Sequence, residues 1–106
     1  MRTILCIGDS NTWGYDPRSY FGSRYPHGVP WVDRLTGGEV INCGMNGLSV
    51  PSDVRPFTDL IRSRSPDLVT VMLGTNDLLQ GRKAGETADA MTSFLAALRE
   101  TGFRVL

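Results

Sequence analysis

Ser10 and Asn76 are the residues whose types and settings could do chemistry. Ile4-Leu5-Cys6-Ile7 runs into Gly8-Asp9-Ser10-Asn11, and Leu68-Val69-Thr70-Val71-Met72-Leu73 runs into Gly74-Thr75-Asn76-Asp77. Polar loops that follow apolar runs are expected at the carboxyl ends of parallel strands, where sites of α/β folds gather. A serine there can act as a nucleophile, and an asparagine amide can donate to an oxyanion; together they suggest acyl transfer. A third loop, Asn42-Cys43-Gly44-Met45-Asn46-Gly47, lets backbone approach a ligand closely, and the Gly44 N–H is expected as a further donor. Read alone, the same stretch is an ordinary Asn-Gly turn, and Asn76 or Asp77 an Asx turn or helix cap.

The elements that must position these loops follow from apolar patterning. Thr3 to Ile7 reads as a first strand, Glu39 to Asn42 as a second and Asp67 to Leu73 as a third. The near-continuous apolar character of the third strand predicts a central position, buried on both faces. Trp13 to Pro30 carries three prolines and three glycines and reads as a loop. Pro30 to Leu35 is expected as a short helix stopped by Gly37-Gly38. A further helix is capped by Ser52 or Asp53, shows Val54, Phe57, Leu60 and Ile61 on one face, and ends at Ser65-Pro66. Glu86 to Thr101 is expected as a longer helix with Ala88, Met91, Phe94, Leu95 and Leu98 inward, stopped by Gly102. Phe103 to Leu106 reads as a fourth strand just beginning, so the sheet is expected to be incomplete, with about three to four strands.

The order of the three loops resembles the SGNH (GDSL-type) hydrolase family, with a softer similarity to its arylesterase-like branch in Trp13-Gly14 and Trp31. The resemblance runs from residue 1 to 106 and implies the N-terminal portion of a single hydrolase domain. The implied fold is α/β, a flavodoxin-like three-layer αβα arrangement with a parallel sheet. By it, Ser10 matches the nucleophile, and the Ser10 N–H, the Gly44 N–H and the Asn76 side chain match the oxyanion hole. Asn11 stands where the family name has leucine. The implied activity is hydrolysis of a small carboxylic ester through an acyl-enzyme on Ser10, without a cofactor.

The family's Asp-x-x-His block has no counterpart here. The only histidine, His27, falls in the loop after the first strand, upstream of two blocks it should follow. The base is expected on a complementary C-terminal polypeptide segment, with His27 or a neighbouring subunit as the alternative source, and this chain alone is expected to be inactive. The rival readings are a non-catalytic remnant, and a phosphate- or nucleotide-binding module in which Ser10, Asn11, Thr12 and Gly14 cradle the phosphate. Against the latter, a P-loop lysine and a G-x-G-x-x-G fingerprint are both missing.

Composition narrows the remaining classes. The 106 residues are 41% hydrophobic and 21% charged, as in a soluble globular domain. Eleven basic residues offset eleven acidic ones without like-charge runs, which disfavours nucleic acid and anionic membranes as partners. No apolar stretch approaches the ~20 residues that span a bilayer, and the start lacks the pattern of a signal peptide, so a cytoplasmic location is expected. Cys6 and Cys43 set no disulfide framework and no metal-site spacing, so neither a disulfide nor a metal is expected. Trp13, Tyr15, Tyr20, Phe21, Tyr25 and Trp31 either wall a substrate pocket, Trp13 first among them, or pack the loop and an oligomer contact. The exposed sheet edge predicts that the chain does not persist as a monomer, and a homo-oligomer is expected.

Overall fold

The computed structural model describes residues 2–14 and 38–106. Its elements run β1 (Arg2–Gly8), α1 (Ser10–Trp13), β2 (Gly38–Gly44), α2 (Arg55–Arg64), β3 (Leu68–Met72), α3 (Thr75–Leu79) and α4 (Ala84–Arg99). The strands form one parallel sheet in the order β2-β1-β3, with Gly8 level with Gly44 on one side and Met72 on the other. The chain is thus α/β with a parallel sheet, as its patterning predicts. The helix expected at 30–35, most of the long loop, His27 and the aromatics Tyr15 to Trp31 lie outside the described residues.

The central strand is β1, not β3. Leu5, Cys6 and Ile7 are each no more than 1% exposed, whereas in β3 only Val69 is fully covered and Met72 is 48% exposed. A continuous apolar run reports buried surroundings in general, and says nothing of which neighbour provides them. Beyond β3, Val105 bridges Val69 in parallel, held by Val69 N–H to Arg104 O (2.8 Å) and Leu106 N–H to Val69 O (2.8 Å). Within the described residues the fourth strand is this single bridge.

One face of the sheet carries the core. Leu5, Ile7 and Val69 meet Ile61 of α2 and Phe94 and Leu98 of α4, with Val50 and Val105 closing the ends. Phe57 stands edge-on to Phe94, ring centres 5.4 Å apart at 90°. Burying each of these large side chains contributes about 1.5–3 kcal/mol. In α4, Ala88 faces out although an inward position was expected, and Thr87 is buried instead. The helix starts at Ala84, two residues earlier than its periodicity suggested, and Gly102 (φ 85°) follows its end.

Helix α2 is capped differently from expectation. Its N-cap is Val54, with a proline in the first turn, and neither Ser52 nor Asp53 caps it. Asp53 instead accepts the Arg55 N–H at 3.1 Å and pairs with its guanidinium, closing a turn just before the helix. Among the described residues no helix is long and apolar enough to cross a membrane.

Candidate active site

Ser10 opens a four-residue helix against the end of the central strand. Asp9 precedes it as N-cap, 1% exposed, and its Oδ1 accepts the Asn11 N–H at 2.9 Å. The Asp9 carbonyl accepts the N–H groups of Thr12 (3.1 Å) and Trp13 (2.9 Å). Gly14, at φ 93°, donates to Ser10 O at 2.8 Å and closes the turn. The N–H groups of Asn11, Thr12 and Trp13 are therefore spent on Asp9 and that of Gly14 on Ser10 O, so none of these four is open to a phosphate. The Ser10 N–H and hydroxyl meet no partner among the described residues.

Two glycines let this helix lie where it does. A Cβ on Gly8 would collide with the Thr12 side chain, and one on Gly44 would collide with the Trp13 backbone and sit 2.8 Å from the Thr12 carbonyl carbon. Asn42, the third-last residue of β2, fastens the contact. Its Nδ2 donates to Thr12 O at 2.8 Å while its Oδ1 accepts the Gly44 N–H at 2.9 Å.

The loop after β2 is docked onto the same strand end. The Met45 N–H donates to Gly8 O at 2.9 Å, and the Leu48 N–H returns to Met45 O at 3.2 Å. Asn46 and Gly47 are the central pair of this turn, and Gly47 has φ 76°, the value its third position favours for glycine. The Gly47 N–H meets no acceptor among the described residues, and no atom lies within 4 Å of where its Cβ would be.

From the other side of β1, Gly74 (φ 121°) caps α3 and turns Asn76 and Asp77 toward this loop. Asn76 Nδ2 donates to Leu48 O at 3.2 Å, which leaves its second N–H uncommitted. Asp77 is 1% exposed, accepts the Val50 N–H on both oxygens (3.0 and 3.2 Å) and pairs with Arg82 Nη1 at 3.0 Å. Three strand ends are thereby tied together through Gly8, Met45, Leu48, Asn76 and Asp77. The site lies where the strand order reverses about β1, the usual ligand position in open parallel sheets.

A family model for GDSL-like lipases and acylhydrolases matches residues 6–106. The chain belongs to this family. No curated protein matches it in sequence. Among solved structures it is similar to AlinE4, an SGNH-hydrolase family esterase, at 24% identity and TM-score 0.78, covering 98% of this chain and 56% of that one. It is also similar to the psychrotrophic esterase EstA from Pseudoalteromonas sp. (21%, TM-score 0.75, 99% and 57%) and to TesA (24%, TM-score 0.71, 98% and 58%). The chain therefore spans a little over half the length of these structures.

Within this family member, the expectation that Gly44 offers a free N–H is corrected. That N–H is taken by Asn42, and Gly44 is buried beneath α1. The open N–H of the loop belongs to Gly47, three residues on. Gly47, Asn42 and Asp77 carry roles that spacing alone did not assign; the positive-φ turn dipeptide Asn46-Gly47 was the available signal for the first. Trp13 is half-buried and contacts the Gly44 position through its backbone. Burial pushes the Cys6 thiol up, and burial, reinforced by Cys6, pushes the Cys43 thiol up, so neither is a ready thiolate beside the serine. Among the described residues no three His, Cys, Asp or Glu side chains come together as a metal site requires.

Gly47→Ala tests the turn. With open space around the new methyl, the only penalty is the left-handed backbone, about 1–2 kcal/mol. A urea midpoint shifted by that amount is expected; an unchanged midpoint would mean the turn has no such conformation.

Proposed function

We propose that this chain carries the nucleophile and the oxyanion donors of a serine esterase. Ser10 Oγ attacks the ester carbonyl, the alcohol leaves with the proton, and water releases the acid from the acyl-enzyme. The developing oxyanion rests on the N–H groups of Ser10 and Gly47 and on the free N–H of Asn76 Nδ2. The observation that carries this reading is the pair of unspent backbone donors, Ser10 in the turn that leaves β1 and Gly47 in the loop that bonds both the last residue of β1 and Asn76. The base is a histidine outside these 106 residues, oriented by the aspartate of an Asp-x-x-His block on a complementary polypeptide segment. Without it a serine hydroxyl at neutral pH is a weak nucleophile, and the chain alone turns over little ester.

Imidazole supplied in solution can stand in for that base. Treated with a p-nitrophenyl alkylphosphonate, the chain is expected to release one p-nitrophenolate per molecule, faster with added imidazole, with the mass increment on the Ser10 peptide. Ser10→Ala should abolish the increment. Asn76→Ala should slow capture by about 100-fold to 1,000-fold, the range seen when an oxyanion donor is removed. A folded chain that stays unlabelled in imidazole, or an Asn76→Ala variant that reacts at the parent rate, would reject the assignment.

A further inference from the structure

The cleft between the 50–54 segment and α4 takes no part in the chemistry above, shares no residue with Ser10, Gly47 or Asn76, and has a volume of 330 Å³. Its walls include Val50, Val54, Ala90 and Phe94, and Ser52 and Arg82 line it as well. That volume is at the small end of the ~300–1,000 Å³ typical of small-molecule sites, and the lining mixes polar and apolar groups, with Val50 and Phe94 forming a nearly closed floor.

Arg82 is the decisive residue. Its guanidinium is tethered by Nη1 to the buried Asp77 at 3.0 Å, yet 39% of the side chain remains exposed. A guanidinium carries five N–H donors, and the one acceptor it meets among the described residues is Asp77 Oδ1. The cation is thus held in place at the cleft with donors to spare, which lowers the ordering cost of gripping a second planar anion. The Ser52 hydroxyl, exposed and without a partner among the described residues, adds a donor at the cleft.

We propose that this cleft binds a short aliphatic carboxylate, its tail against Val50, Val54, Ala90 and Phe94 and its carboxylate on Arg82 and Ser52. The apolar part of a mixed lining takes a short tail, and the spare guanidinium donors select a carboxylate head. The assignment does not depend on the chemistry of Ser10.

Titrating the full chain with hexanoate, followed by amide and arginine side-chain NMR shifts, tests it. Shifts are expected at Val50, Ser52, Ala90 and Arg82, with hexanol and inorganic phosphate each binding at least about tenfold more weakly. Arg82→Gln should weaken hexanoate by a similar factor. Ala90→Phe, which fills the cleft and leaves the Arg82–Asp77 pair untouched, should block binding and keeps the test decisive if Arg82→Gln fails to fold. Hexanol or phosphate binding as tightly as hexanoate would overturn the proposal. So would shifts centred on Ser10, Gly47 and Asn76, or hexanoate binding unaffected by Ala90→Phe.

Discussion

Gly44→Ala is expected to destabilise the fold by about 3 kcal/mol and to abolish phosphonate capture at Ser10, although the methyl touches neither serine nor substrate. The added carbon collides with the backbone of Trp13 and lies 2.8 Å from the Thr12 carbonyl carbon. Backbone cannot rotate away as a side chain can, so relief requires α1 to lift off β2, and overpacking of this kind costs up to ~3 kcal/mol or more. Lifting α1 also breaks the 2.8 Å bond from Asn42 Nδ2 to Thr12 O and moves Ser10 away from the 45–48 turn. Urea unfolding measures the first effect and the rate of p-nitrophenolate release the second. Retained capture at the parent rate would show that Ser10 does not depend on the seat of α1.

The second large effect is expected at Asp77. Asp77→Ala strands the buried Val50 N–H, which now bonds both carboxylate oxygens, and removes the anion facing Arg82. Breaking a buried ion pair from one side costs about 3–5 kcal/mol. Arg82 is partly exposed and can turn to water, which places the expected loss at the lower end of that range. Asp77→Asn keeps one oxygen for Val50 and is expected to cost less than the alanine variant. Because Asn76 and Asp77 both grip the 48–50 segment, through Leu48 O and the Val50 N–H, loosening one tether is also expected to slow capture at Ser10. Comparing urea midpoints and capture rates of the two variants checks both claims; equal midpoints for alanine and asparagine would refute the role given to the Val50 bond.

Much of the scaffold was legible in the chain because its signals are local. Apolar runs ended by Gly-Asp-Ser-Asn and Gly-Thr-Asn-Asp marked strand ends whatever their neighbours, and the i, i+3, i+4 spacing of Phe57, Leu60, Ile61, Phe94 and Leu98 marked helices that bury one face. Caps were less legible. Asp53 had the right type to cap α2, yet Arg55 drew it into a turn one residue early, a competition between two short-range bonds that composition does not rank.

The sequence by itself determined that Ser10 and Asn76 stand at the carboxyl ends of β-strands, since the alternation of strand and loop is written in neighbouring residues. Only the tertiary structure decided that β1 lies between β2 and β3, and that Gly47 holds the open N–H. The reason is that strand neighbours, and the packing that decides which side chains are held where they can take an N–H, are settled between distant segments. Gly44 lost its space to α1, thirty residues away in the chain, an approach no local pattern records; its N–H went to Asn42, only two residues back, whose amide is itself fixed by Thr12 O across that same contact.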